Sequence, residues 1–158
     1  MAKYIESTLI PGEKIILSPA LHPIVYLKPV IRFGLYLLIG LVIGLTGLKG
    51  TWEAVGILLA IFGAFELCCI AYNYLYYPRV EMAVTNKRVV HKTGIIGVDS
   101  EELQWNRIES IEIRQGIIGR LLNYGNVCFS GTGVSFVQFE TVKNPRAVKA
   151  KAAEILSK

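Results

Sequence analysis

The sequence predicts a membrane α plus all-β protein, in which a two-helix transmembrane hairpin precedes a small β module that is capped by a C-terminal helix. Two long apolar segments, residues 30–48 and 54–77, lie in a chain of 158 residues. From Val80 onward apolar and polar residues alternate with a period of two, which is typical of half-buried strands. The last stretch carries apolar residues at helical spacing. The expected organisation is therefore a lead-in over 1–29, the hairpin over 30–77 and the β module over 79–158.

The lead-in is mixed in polarity and rich in proline, and Ile15-Ile16-Leu17 fits a short strand between turn signals. We expect this segment to lie on the cytoplasmic side, either on the membrane or packed against the later module.

Each apolar segment is long enough to cross a bilayer, because a core of ~30 Å needs ~20 helical residues. Lipid offers no hydrogen-bond partner, so each segment should be a helix that satisfies its own backbone. The link, residues 49–53, is too short for a folded domain, and this favours a hairpin that enters and leaves by one face. The alternative is a pair of buried helices in a soluble protein, but a chain of this length has a modest core.

Charge predicts the orientation. Lys3, Lys14, Lys28 and Arg32 precede or open the first helix, whereas the link holds Lys49. Several basic residues also follow the second helix, so both termini are expected in the cytoplasm of a multi-pass inner (cytoplasmic) membrane protein. Four tyrosines would form the aromatic belt on that side and Trp52 would lie at the opposite interface: Tyr72, Tyr74, Tyr76 and Tyr77.

The net charge of +5 is mostly in the β module, which carries 12 Lys+Arg against 8 Asp+Glu from Arg79 onward. A basic domain tethered beside a membrane suits an anionic leaflet, so membrane lipids are expected partners. No stripe of basic and aromatic residues suggests nucleic acid.

Small residues recur at four-residue spacing within the hairpin and predict close helix packing, either between the two helices or between copies of the protein. They are Gly40 and Gly44 on the first helix and Gly56, Ala60, Ala64 and Cys68 on the second.

Glu66 interrupts the second apolar segment. A carboxylate in the bilayer costs at least ~2.5 kcal/mol, so it should face a partner or be protonated. Arg32 enters from the same side, and a snorkelling or water-bridged pair between them is conceivable. Three roles stay open for Glu66: a contact between helices or copies, a proton or ion pathway in an oligomer, and a side chain that reaches toward the interface.

The β module is predicted to contain several strands and then one helix. Residues 80–85 and 88–93 form the first strand pair, with a turn at Thr85-Asn86-Lys87-Arg88. A helical turn follows Gly116, and Gly131-Thr132-Gly133 joins two later strands as a hairpin. In the last element, Asn144 is the expected N-cap and Pro145 the first helical residue.

These segments resemble the bacterial pleckstrin-homology-like (PH-like) domains of small membrane-flanked proteins. The resemblance lies in Thr85-Asn86-Lys87-Arg88, in Ile108-Glu109-Ser110-Ile111, in the stretch from Gln115 to Gly125, in Asn144-Pro145, and in Pro11-Gly12-Glu13 ahead of a two-helix hairpin. It implies seven strands in two near-orthogonal sheets with a C-terminal helix, and it does not imply an enzyme.

The first functional hypothesis is a non-enzymatic, membrane-anchored module that binds protein partners or further copies at the cytoplasmic face. Confinement to two dimensions raises the effective concentration, so weak contacts suffice. A homo-oligomer or another membrane-associated protein is the expected partner.

The second hypothesis is recognition of anionic headgroups. Eukaryotic relatives use basic residues of the first strand hairpin, and Lys87, Arg88 and Lys92 lie in the comparable turn here. Arg120 is a further candidate for a binding surface, although it could instead bond a loop carbonyl or Glu109.

The third class, an enzyme or transporter, lacks a converging set of groups. His22 and His91 are isolated, and the spacing of the three cysteines fits neither a zinc site nor a disulfide framework. No catalytic residue, cofactor or metal site is predicted.

Overall fold

The computed structural model describes residues 3–45, 51–133 and 135–157, and it divides them into two compact units. One unit consists of residues 23–75 and contains the two long helices. The other consists of residues 1–22 together with 76–158 and contains the β module. The predicted boundaries differ from these because the lead-in is part of the β module.

The first unit holds helices α2 (Ile24–Leu45) and α3 (Thr51–Tyr76). Two helices, Ile24–Leu45 and Ala54–Arg79, are long and apolar enough to cross a membrane. Helix α2 begins six residues before the predicted start at Val30 and runs through Pro29, which lies within its second turn. Residues 46–50, which include Lys49 and Gly50 of the predicted link, and the side chain of Trp52 lie outside the described residues.

The β module contains seven strands in two antiparallel sheets within the described residues. Sheet A has the order β1-β2-β3-β4 and comprises β1 (Ile15–Leu17), β2 (Glu81–Thr85), β3 (Arg88–Thr93) and β4 (Asp99–Gln104). Sheet B has the order β5-β6-β7 and comprises β5 (Ile108–Arg114), β6 (Tyr124–Gly131) and β7 (Phe136–Lys143). Three helices complete it: α1 (Lys3–Ser7), α4 (Ile117–Leu121) and α5 (Pro145–Leu156). The predicted two-sheet fold with a C-terminal helix is confirmed.

The core lies between the sheets and under α5. Phe129 and Phe139 are fully buried at its centre, with ring centroids 5.2 Å apart and an angle of 67° between the ring planes. Helix α5 adds Val148 and Ala152 to this cluster. In β2, the alternating residues Met82 and Val84 face this core, whereas Ala83 packs on the other side of the sheet against Ile5.

Asn144 precedes α5 but does not cap it as predicted. It has a φ of 53°, in the left-handed region, and its side chain makes no capping bond. The backbone supplies the contacts instead, because the Asn144 carbonyl accepts from the Ala147 amide at 3.1 Å and the Asn144 amide donates to the Asn123 carbonyl at 2.9 Å.

The long hairpin interrupts sheet A between its first two strands. Since neighbouring strands are antiparallel, the β1–β2 connection, which contains α2 and α3, and the β3–β4 loop leave from the same end of the sheet. We call this the hairpin end. The β2–β3 turn and the 3-10 turn Trp105–Arg107 lie at the opposite end, which we call the turn end; there the Trp105 amide donates to the Lys87 carbonyl at 3.4 Å.

Residues 15–22 connect the two sheets. Ile15 and Leu17 pair with Thr85 and Val84 of β2. A few residues later the chain runs beside β7, where the His22 amide donates to the Thr141 carbonyl at 2.8 Å. The N-terminal segment thus completes the domain.

Candidate functional site

The turn that carries the predicted basic site is built into the N-terminal segment. Asn86 exchanges hydrogen bonds with Lys14, its amide donating to the Lys14 carbonyl at 3.1 Å and its side-chain oxygen accepting from the Lys14 amide at 2.8 Å. Its side-chain amide also donates to the Gly12 carbonyl at 3.1 Å, and Lys87 Nζ donates to the Pro11 carbonyl at 2.8 Å. Two short motifs far apart in the chain are therefore the two halves of one contact.

Glu13 is at the centre of this contact, with a side chain that has no exposed surface. It accepts from Arg88 Nε at 3.0 Å, from the Thr85 hydroxyl at 2.7 Å and from the Ile10 amide at 2.9 Å. Burial by itself raises the pKa of this carboxyl, but the hydrogen bonds from Ile10, Thr85 and Arg88 outweigh burial and lower the pKa below its ordinary value of 4.5.

Arg88 does not form the exposed basic site that the sequence predicted. Its guanidinium bridges Glu13 and Glu102 and also donates to the Thr8 carbonyl at 2.8 Å. Burial acts to lower the pKa of Arg88, yet the two carboxylates raise the pKa above its ordinary value. A guanidinium with these partners holds the lead-in against sheet A and has no free donor fork for a headgroup.

Lys92 is likewise buried. Its ammonium donates to the Arg79 carbonyl at 3.1 Å and lies 5.6 Å from the ring centroid of Tyr4. Lys87 is exposed, but it is bonded to Pro11. The turn joins β2 to β3, and the connection from β1 to β2 contains α2 and α3.

A surface pocket of about 370 Å³ opens beside this turn. Its walls combine aliphatic, amide, indole and basic groups, from Ile10, Asn86, Lys87, Arg88, Gln104, Trp105 and Asn106. The Trp105 indole donates to the Thr85 carbonyl at 2.9 Å, so one wall is fixed. The predicted residues Lys87 and Arg88 thus meet in a mixed pocket at the turn end of sheet A.

Arg120 lies on α4, a short exposed helix between β5 and β6. Within the described residues its side chain makes no hydrogen bond or ion pair, so neither Glu109 nor a loop carbonyl holds it. Around it, α4 and the next residue expose four aliphatic side chains, of Ile117, Ile118, Leu121 and Leu122. We call these four the α4 knuckle, and sequence reasoning missed it because the same residues look like a core helix.

The backbone under the α4 knuckle is closely fitted. Gln115 donates its side-chain amide to the Tyr124 carbonyl at 2.9 Å. A Cβ at Gly119 would lie 2.7 Å from that same carbonyl oxygen, and one at Gly125 would lie 2.9 Å from the Arg114 carbonyl oxygen. Glycine is therefore required at both positions of the motif, and the result is a rigid support that turns the aliphatic side chains outward.

In the helical unit, Arg32 and Glu66 form a direct ion pair, with Nε and Oε1 2.8 Å apart. Glu66 is nearly covered and Arg32 is largely exposed. No bridging water is needed between the two groups, and this geometry gives Glu66 a partner within its own hairpin.

The small residues of α2 and α3 do not bring the two helix backbones into the close contact that the sequence predicted. Gly40, Gly56, Ala60 and Ala64 line an apolar cleft of about 540 Å³. Among the described residues, nothing lies within 4 Å of a Cβ placed at Gly44 or Gly56. Contact between copies, the other predicted use of these residues, stays a prediction.

The two histidines and Cys128 contact neighbouring side chains within the β module. The His22 ring lies 5.1 Å from that of Tyr124, and His91 lies 6.0 Å from Phe139. Burial raises the pKa of the Cys128 thiol, which donates to the Gln138 side-chain oxygen at 3.3 Å. None of them converges with another into a nucleophile–base pair within the described residues.

The family described as Bacterial PH domain matches residues 29–158 of this chain. Comparison with curated proteins and with solved structures finds no match. The matched region begins inside α2, and so it omits the N-terminal segment that completes sheet A.

Proposed function

Because this chain belongs to the bacterial PH domain family, we propose that it is a non-enzymatic interaction module, which a two-helix hairpin anchors in the cell membrane and which binds protein at its turn end. PH-like domains are protein and lipid interaction modules, and the proposal selects protein for the turn-end pocket. A second copy of this chain is the first partner to test, since one anchored chain meets its own copies at high local concentration.

Anchoring is supported by the exposed apolar surface of α2 and α3. Many aliphatic side chains on these helices are more than half exposed, including Leu41, Ile57 and Ile61. Apolar surface of this extent is rare on a soluble monomer. The ion pair of Arg32 with Glu66 offsets the cost of a carboxylate within the span. The positive-inside pattern supports cytoplasmic termini.

The observation that carries the choice of protein over headgroup is the position of the basic turn. It lies at the end of sheet A opposite the strand ends that continue into the hairpin. Its strongest cation, Arg88, is already neutralised by Glu13 and Glu102. A pocket with an indole, three amides and an aliphatic wall suits a peptide segment, because aromatic residues are enriched where proteins bind one another.

The test is self-association of the full chain in nanodiscs or mild detergent, measured as mass by light scattering and by exchange between two differently tagged copies. Asn106→Arg changes an exposed wall of the pocket and should weaken association. The matched control, Ile16→Arg, changes an exposed side chain on β1 and should not. A strict monomer that carries no other protein, with a photo-cross-linker at Asn106 giving no product in cells, would overturn the proposal.

A further inference from the structure

The β module exposes two aliphatic tips that the turn-end pocket does not use. The first is the β3–β4 loop, where Ile96 is 99% exposed and Val98 is 53% exposed. The second is the α4 knuckle, where Ile117 is 90% and Leu121 is 84% exposed. Side chains of this kind are ordinarily withdrawn from water, and a cluster of them marks a contact surface.

The first tip lies beside the point where the chain returns from α3. Lys92, near the start of the β3–β4 loop, donates to the carbonyl of Arg79, at the end of the 3-10 turn after α3. Lys92 also pairs with Glu81, the first residue of β2. The loop that presents Ile96 therefore leaves sheet A within one strand spacing of the returning chain.

The second tip lies beside the point where the chain departs for α2. His22, two residues before α2, packs on Tyr124, the residue that supports the α4 knuckle. Its amide donates to the carbonyl of Thr141, which is two residues before the end of β7. One aliphatic tip therefore lies beside the point where the chain leaves the β module for α2, and the other lies beside the point where it returns from α3.

Both tips are held in shape. Gly94 has a φ of 111°, and a Cβ there would collide with the Gly97 carbonyl oxygen, so the loop closes as a tight turn below Ile96. Gly119 and Gln115 fix the knuckle in the same way. A rigid tip loses little conformational entropy on contact, and this favours binding.

From this placement we infer that the Ile96 loop and the α4 knuckle insert into the lipid surface, so that the domain rests on the bilayer by two aliphatic contacts beside its anchor. This rests on the proposed anchoring by α2 and α3. Exposed Arg120 on the knuckle would face the phosphate layer, since basic groups beside aliphatic ones are typical of interfacial segments. Asp99 directly follows the first tip and keeps its insertion shallow.

The test measures depth by nitroxide labels on the full chain in phosphatidylethanolamine–phosphatidylglycerol vesicles. Cys68 and Cys69 are first replaced by alanine; Cys128 is buried and stays. Labels are then placed singly by Ile96→Cys, Leu121→Cys, Asn106→Cys at the turn end and Leu58→Cys within α3. Accessibility to dissolved oxygen and to a neutral nickel chelate is compared at each site by power saturation.

We expect labels at 96 and 121 to be several-fold less accessible to nickel, and more accessible to oxygen, than the label at 106. If the labels at 96 and 121 have the same accessibility as the label at 106, while the label at 58 is in lipid, the inference fails and the anchoring stands. If 58 is also accessible to nickel, the anchoring fails as well. Low access to both reagents at 96 and 121 would indicate a protein cover and would also overturn the inference.

Discussion

Replacing Arg88 tests whether the basic turn serves stability or binding. Arg88→Met keeps the length of the aliphatic stem and removes the guanidinium, which leaves Glu13 charged with no exposed surface. Glu13 keeps its hydrogen bonds from Ile10 and Thr85 but loses its counter-charge, whereas Glu102, partly exposed, can be rehydrated. Removing one partner of a buried ion pair lowers the free energy of unfolding by about 3–5 kcal/mol.

In a domain of this size that loss corresponds to a fall in Tm of more than ~12 °C. Unfolding in mild detergent can be followed by near-ultraviolet circular dichroism and by the fluorescence of Trp105, which is fixed to the same turn. Glu13→Gln combined with Arg88→Met should recover part of the loss, because no charge then stays buried.

Lys87→Met is the matched control, since Lys87 is the neighbouring exposed cation with a bond to Pro11. It should change stability by less than ~1 kcal/mol. If Arg88→Met unfolds at the same temperature as the control and instead loses affinity for anionic vesicles, the structural role assigned to Arg88 is wrong.

Three further predictions follow from the β module. Burial lowers the pKa of His91 below its ordinary value of 6.5, so the neutral form is favoured in the folded state. The free energy of unfolding should therefore decline as the pH falls through 6.5. Melting curves recorded at several pH values should show a smaller decline for His91→Gln. Gly125→Ala should destabilise by ~1–3 kcal/mol through overpacking, whereas Gly116→Ala, with open space around its Cβ, should change denaturation midpoints little. Residues 1–22 fused by a short glycine linker to 76–158 should give a soluble, cooperatively folded domain. Residues 76–158 alone should show poorly dispersed NMR amide signals, because β1 and the backbone contacts of Leu21 and His22 with β7 are missing. Equal dispersion from the two fragments would contradict this.

The residues that could be predicted from sequence are those whose neighbours are close in the chain. The alternation from Val80 to Thr85 identified β2, and the turn after it identified β3 as the returning strand. The glycines after Gln115 identified the turn around α4. Strand β4, residues 99–104, was missed because it is an edge strand in which Leu103 is the one buried side chain. Its polar sequence gives no alternation to detect.

The candidate site was harder to predict because burial of a charge depends on distant residues. Arg88 reads as a surface cation until Glu13 is placed beside it, and 75 residues separate the two. Pro11-Gly12-Glu13 was one of the motifs that carried the family resemblance. It indicated that this segment matters, but the sequence did not show that Glu13 contacts Arg88. The exposure of the α4 knuckle was not predicted, because aliphatic residues usually face inward.

The interruption of sheet A by the hairpin has a consequence for biosynthesis. Strand β1 leaves the ribosome about sixty residues before its neighbour β2, which at ~5–20 residues per second is a delay of several seconds. In the proposed topology, both apolar helices enter the membrane during this interval. Strand β1 has no neighbour in sheet A until β2 has been synthesised, so the emerging chain exposes an incomplete sheet for that time.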